Sequence, residues 1–318
     1  MSHNMHPSDI GPQYRGDGRF QARMRFHQSW YRSRVLEVPC GTGPNASSTS
    51  HYGNMLTETD GDRGLNFTSP DAFTAARRRV DEGSGAVEPF RLFHNMLSSM
   101  PMCFNLFGPF VEDTDMATTT FRCLLGDDEV KRIRETVLEY APSPRSEYLN
   151  DRTSFDAFIS YERPDGSLGF LGIETKLTES FSKHHYDCPA YRRWVEQPDS
   201  PWPNESWSHL DDVRHNQLWR GHLLAVAMTS HPRSPYAAGR FALVRHPRDT
   251  ECARVVDGYS RLLKAQDNSF VDLPLDRIIG AWEQALPPSC TDWLSRFRLR
   301  YLDLEASESE WCLQGRDR

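Results

Sequence analysis

Through roughly the first 125 residues the apolar positions recur at helical spacing; beyond residue 130 they gather into short runs bounded by turn formers. Helices are predicted over 20–38, over 69–82 with Ser69 or Asp71 as cap, and over 115–125. The most apolar stretch, F-R-L-F-H-N-M-L-S-S-M-P-M-C-F-N-L-F at 90–107, is predicted as one buried helix interrupted near Pro101. Residues 39–54, rich in Gly, Pro, Asn and Ser, read as a long loop. Residues 132–140 read as a strand or a helix end, whereas 154–162, 168–177 and 240–246 read as strands. A long helix with an Asp cap is predicted over 211–229, and shorter ones over 251–266 and 275–285. Helix, strands, helix and strand in that order predict an α/β core with a helical N-terminal extension. The segments are a mobile tail (1–15), a helical region packed on the core (16–126), the core (127–250), a helical part of the same domain (251–303) and an acidic tail expected to fray (304–318).

Composition narrows the class without choosing a function. Apolar residues make up 38% and charged residues 25%, as in ordinary globular proteins. No apolar run approaches the ~20 residues of a membrane span. The start, M-S-H-N-M-H-P-S-D-I-G, lacks an apolar signal core, so no membrane partner and a cytoplasmic location are expected. Seven cysteines without a CxxC pair fit a reducing compartment. The net charge of −7 disfavours nonspecific nucleic-acid binding, but residues 15–34 form a local exception. Arg15, Arg19, Arg23, Arg25, Arg32 and Arg34 stand there against one acid, Asp17, with Phe20, Phe26, Trp30 and Tyr31 interleaved. That pattern suits either phosphate contact and base stacking or an amphipathic helix with solvated arginines.

The two apolar runs around R-P-D-G-S carry the most specific chemistry. Proline presets the first turn position and glycine accepts the left-handed one, so Pro164–Gly166 form a three-residue hairpin loop. Arg163 then faces Ser167, and counting outward places Asp156 opposite Glu174, on one face and about 4.5–5.5 Å apart at Cβ. Lys176 lies two residues on, on the same face, while Phe155, Ala157, Ile159, Leu171, Ile173 and Thr175 take the other. Opposed carboxylates repel, and a bound proton, a bridging lysine or a divalent cation relieves the repulsion. The apolar flanks favour the cation, and Mg²⁺ suits hard oxygen ligands. A lysine beside a cation is expected to hold its proton weakly and to serve as base or charge stabiliser. A second E-x-K, Glu129-Val130-Lys131, sits in a polar run and reads as a solvated face.

Asp, then Glu-x-Lys across a β-hairpin, resembles the PD-(D/E)xK nuclease superfamily, and within it a family of stand-alone restriction-endonuclease-like proteins. The resemblance runs through R-F-Q-A-R-M-R-F-H-Q-S-W-Y-R, R-L-F-H-N-M-L-S-S-M-P-M-C-F-N-L-F-G, D-R-T-S-F-D-A-F, G-I-E-T-K-L-T-E and N-Q-L-W-R-G-H, roughly residues 19–250. It implies a mixed sheet with a central hairpin flanked by helices, and a Mg²⁺- or Mn²⁺-dependent endonuclease acting on DNA. It implies Asp156 and Glu174 as metal ligands with the carbonyl of Thr175, and Lys176 as the catalytic lysine. Phe155 stands where the named motif has proline. Gln217, on the helix after the motif, matches a glutamine used by RecB-like members; a structural core amide is the other reading. Glu139, or Glu135, is the implied accessory acid. Arg15, Arg19, Arg23, Arg25 and Arg32 would hold the DNA backbone, and a homodimer would cut both strands. A defence role rests on this resemblance, and the alternative is a catalytically inactive nuclease-fold protein that binds nucleic acid or regulates a partner.

Overall fold

The turn predicted at 163–167 forms in the computed structural model, which describes residues 7–83, 85–203, 206–288 and 291–314. The Arg163 N–H donates to the Ser167 carbonyl at 2.8 Å and the Gly166 N–H to the Arg163 carbonyl at 2.9 Å, with Gly166 at φ +85°. A side chain there would crowd its own carbonyl, so glycine closes the loop at least cost. The hairpin joins β2 (Phe155–Glu162) to β3 (Leu168–Lys176). With β1 (Arg132–Tyr140), β4 (Tyr236–Arg245) and β5 (Phe270–Pro274) they form one sheet in the order β1-β2-β3-β4-β5. The first three strands are antiparallel, and β4 and β5 run parallel to β3. The β2–β3 ladder runs from Glu162↔Leu168 to Ala157↔Ile173, in the predicted register.

The helices in chain order are α1 (Arg19–Trp30), α2 (Glu58–Asp62), α3 (Pro70–Asp81), α4 (Pro89–His94), α5 (Ser99–Phe107) and α6 (Thr114–Leu125), then α7 (Pro189–Val195), α8 (Trp207–Leu210) and α9 (Val213–Ser230), and finally α10 (Thr250–Ser260), α11 (Leu275–Ala285), α12 (Asp292–Tyr301) and α13 (Glu308–Leu313). None of the described helices is long and apolar enough to cross a membrane. The chain divides into two compact units: a sheet unit, Gly83–Ala86 and Phe110–Leu286, and a helical unit, Met1–Glu82, Val87–Pro109 and Pro287–Arg318. This division does not follow the predicted boundaries at 126, 250 and 303, and Gly83–Ala86 falls with the sheet. The α6 helix packs along β1 and against α11 within the sheet unit, and the segment from 287 onward joins the helical unit.

In the sheet unit α9 lies across β4 and β3. Gly221 makes this close approach feasible, since a Cβ there would meet the Phe241 ring at 2.4 Å. Phe158, Phe170 and Phe241 pack with Leu218, Leu223 and Leu224 in one buried cluster. Phe155 joins it, although strict alternation puts it on the opposite face. Its ring occupies the space over Gly172, where a Cβ would come within 2.6 Å. The left-handed Glu139 (φ +53°) on β1 accompanies this break, and Tyr140 stacks on Phe158 at 4.1 Å. Both residues at the end of the β1–β2 ladder, Tyr140 and Phe155, therefore turn their rings toward α9.

In the helical unit the predicted helix over 90–107 is two helices. Asn95 ends α4 in extended conformation and Ser98 caps α5, with its side chain accepting from the Met100 N–H. Pro101 then falls in the first turn of α5, where its missing N–H has no helical acceptor to lose. The described parts of the two terminal segments pack within this unit. Ile10, Phe26 and Trp311 form a buried cluster, and Glu308 and Glu310 of the acidic tail pair with Arg23 and Arg34. Residues 1–6 and 315–318 lie outside the described residues.

Candidate active site

The hairpin brings the three predicted residues of the E-x-K pattern to the C-terminal end of β3. Beyond the last ladder pair Asp156 reaches β3 through its side chain: Oδ2 accepts from the Thr175 N–H at 2.7 Å and from the Thr175 hydroxyl at 2.7 Å. Asp156 thus turns partly toward Thr175, which alternation assigned to the other face. Burial first, then the negative charges of Glu174 and Glu139, hold its carboxyl well above the usual carboxylate range, although both Thr175 bonds favour the charged form. Glu174 and Glu139 thus both act on Asp156.

Glu174 and Lys176 form an ion pair, with Nζ 3.1 Å from Oε1. Burial draws the ammonium down, but Glu174, Glu179 and Asp156 together outweigh it and hold Lys176 above its ordinary value. Without a metal, the surroundings thus favour the charged lysine, in contrast to the weakened one expected beside a cation. Glu179 earns its position locally: its Oε2 accepts from the Leu177 and Thr178 N–H groups, both at 3.1 Å. The Phe181 ring lies 5.4 Å from Nζ.

Gln217 joins this cluster from α9. Its Nε2 donates to Glu174 Oε1 at 2.8 Å, and its Oε1 accepts from the Ser182 N–H at 2.8 Å. The two contacts define the amide orientation, because a flip would set oxygen against carboxylate and NH₂ against N–H. The accessory acids separate as well. Glu139 is buried and acts on Asp156. Glu135 is exposed and accepts from Ser160 at 3.3 Å.

The basic segment is placed differently from the expectation. Arg23 and Arg32 are buried: Arg23 donates to Ser307 and Leu304 and pairs with Glu308, and Arg32 donates to the carbonyls of Asp9, Ile10, Val38 and Gly53. Arg25 is held by Asp17 and Asn54. These guanidinium groups are committed to backbone and side chains of their own unit, so the phosphate-contact expectation is left with the exposed Arg15 and Arg19. The second E-x-K is not a solvated face either. Glu129 is buried, accepting from Tyr161 at 2.7 Å and Arg240 at 3.2 Å, while only Lys131 is exposed.

Two residues of α9 escaped the sequence reading. Asn216, fully buried, clamps the backbone of Tyr186: its Nδ2 donates to the carbonyl at 3.0 Å and its Oδ1 accepts from the N–H at 3.2 Å. Arg220 pairs with Asp151 at 2.8 Å and donates to Thr153 at 2.6 Å, securing the segment that leads into β2. Polar residues at 216, 217 and 220, set among the buried Leu218, Trp219, Leu223 and Leu224 of the same helix, were the available signal.

Among the described residues no group of three His, Cys, Asp or Glu side chains forms a metal cage. The donors present still fit a divalent cation of the Mg²⁺ type, which takes one or two carboxylates and completes its shell with waters and phosphate. Asp156 and Glu174 supply hard oxygens, and the charges of Glu174 and Glu139 both bear on Asp156.

A family model described as the PD-(D/E)XK nuclease superfamily matches residues 15–303, nearly the whole chain. No curated protein and no solved structure matches the chain.

Proposed function

The chain belongs to the PD-(D/E)XK nuclease superfamily, and from that premise we propose that it is an endonuclease that hydrolyses phosphodiester bonds in DNA with Mg²⁺ or Mn²⁺. Asp156 and Glu174, with the carbonyl of Thr175, hold the ion in this reading, and Glu139 is the accessory acid. When bound, the ion supplies Lewis acidity toward the phosphoryl group and the attacking water. Lys176, kept as ammonium by its acidic neighbours, stabilises charge growing on the phosphoryl oxygens and orients the water. Gln217 fixes the rotamer of Glu174 and shares its Oε1 with the lysine. Arg15 and Arg19 contribute to holding the DNA backbone. Cutting both strands calls for two sites, which a homodimer supplies. The free cysteines among the described residues support a cytoplasmic location, and the resemblance to restriction-endonuclease-like proteins supports a restriction or phage-defence role.

The observation that carries the reading is the Glu174–Lys176 pair at 3.1 Å on the strand that Asp156 reaches across the hairpin. The test is cleavage of plasmid and oligonucleotide DNA with Mg²⁺ or Mn²⁺, combined with calorimetric titration of the metal. Wild type is expected to cut. Lys176→Ala should lose about 10²–10³-fold in rate, as when a charge-stabilising group is removed, while still taking up metal and binding DNA. Asp156→Asn should lose metal uptake. Metal uptake without cleavage of DNA or RNA would leave the inactive, nucleic-acid-binding alternative; neither uptake nor cleavage would abandon both.

A further inference from the structure

Past Lys176 the chain enters residues 177–188, which form no helix or strand. Loops of this kind are usually held by their own backbone; this one is fastened to α9 by side chains. The Ser182 N–H donates to Gln217 at 2.8 Å, and Asn216 bonds both the N–H and the carbonyl of Tyr186. Arg220 places its guanidinium 4.0 Å from the centre of the Tyr186 ring. Between these ties Lys183, His184 and His185 are exposed, and Tyr186 itself is 42% exposed. Two other tyrosines of the same unit, Tyr161 and Tyr191, are buried and bonded to carboxylates. Tyr186 is instead an aromatic surface held in place, in a run with three potential cations, with His185 paired to Asp211 at 2.8 Å. A ring already immobilised loses little entropy when something stacks on it.

The loop is also coupled to the catalytic groups. One amide, Gln217, holds Ser182 with its oxygen and Glu174 with its nitrogen. We propose that residues 182–186 are a stacking platform for an unpaired base next to the bond being cut, with Tyr186 taking the base and Lys183 the adjoining phosphate. Stacking on a side chain needs a base out of its pair, so the loop selects a strand that is single or opened at the cutting site. The proposal rests on the nuclease reading for its substrate, but its test reads binding alone.

The test uses Asp156→Asn as a non-cutting parent and fluorescence anisotropy with short DNA oligonucleotides, single-stranded and duplex, plus an RNA strand of the same sequence. Adding Tyr186→Leu, which keeps an apolar contact with Arg220, should raise Kd for the single strand about tenfold, the scale of one lost base stack. Tyr186→Phe should stay within about twofold of the parent. Lys183→Gln should flatten the salt dependence of single-strand binding by about 0.7, one phosphate contact. Duplex affinity should change less than single-strand affinity. The RNA arm decides whether the sugar matters, and dependence on Tyr186 with either strand supports the platform. Equal affinities for parent and Tyr186→Leu, equal losses on single strand and duplex, or a parent that binds no strand would overturn it. If wild type binds through Tyr186 yet cuts nothing with Mg²⁺ or Mn²⁺, the platform stands and the nuclease reading falls. Cleavage that persists with unchanged binding in Tyr186→Leu gives the reverse.

Discussion

Gln217 shows how much one side chain can carry in this site. Its nitrogen and oxygen have different partners, a carboxylate and a backbone N–H, in a half-buried setting. Replacing it by leucine preserves bulk, removes both bonds and leaves Lys176 to hold Glu174 alone. Loss of a group that orients a metal ligand typically costs 10–100-fold, so Gln217→Leu is expected to lower the single-turnover cleavage rate by about that factor. An unchanged rate would return Gln217 to the role of a structural amide. The gathering of Asp156, Glu174 and Lys176 at one end of the hairpin was legible in the sequence because a turn sets register. The reach of Asp156 to Thr175 was not, since strict alternation does not anticipate a break at the end of the ladder, where β1 also carries the left-handed Glu139. The arginines of α1 misled for a related reason. Charged residues are rarely buried, and the partners that make it tolerable, such as Ser307 for Arg23, lie far away in the chain.

Among the elements, the hairpin was the most legible and α12 and β5 the least. Five residues of β5 carry no alternation longer than its neighbours, and the strand exists because the exposed edge of β4 offers it a parallel partner. Two glycines separate what the turn contributes from what the face contributes. At Gly166 a Cβ meets nothing within 4 Å, so Gly166→Ala adds only the left-handed backbone cost of about 1–2 kcal/mol. At Gly172 the backbone is ordinary but a Cβ would press on the Phe155 ring at 2.6 Å, inside a cluster that includes Phe158 and Phe170. Overpacking of that kind costs about 1–3 kcal/mol and displaces the residue next to Asp156. Urea unfolding should therefore show both variants destabilised, while cleavage assayed under folding conditions should fall for Gly172→Ala and hold for Gly166→Ala. Equal activities would mean that the Phe155 ring does not help to position Asp156.

Across the whole chain, the joining of residues 287–318 to the N-terminal helices could not be read locally, because it depends on buried polar pairs between distant segments. Gln28 bonds the Arg300 carbonyl, and His27 bonds Ser307 and the Leu299 carbonyl. In the sheet unit His222 is likewise enclosed, between Tyr259 at 2.8 Å and Ser269 at 2.7 Å. Burial pushes His27 down to about 4 and His222 down to about 3. An unfolded histidine titrates near 6.5, so below that value the unfolded chain takes up protons that the folded one refuses, and stability is lost as the pH drops. The contribution of each histidine is complete above about pH 6.5, and each should lose about 2 kcal/mol between pH 7 and pH 5. Asp156, held above its ordinary range, works in the opposite sense. The wild-type slope therefore mixes the two signs, and the difference between wild type and His222→Gln isolates the histidine. Urea unfolding of both proteins at pH 7 and pH 5 should show the variant less stable at pH 7 and nearly level with wild type at pH 5. Parallel loss in the two proteins would mean that His222 accepts a proton in the folded state, and that its contacts with Tyr259 and Ser269 tolerate the charge.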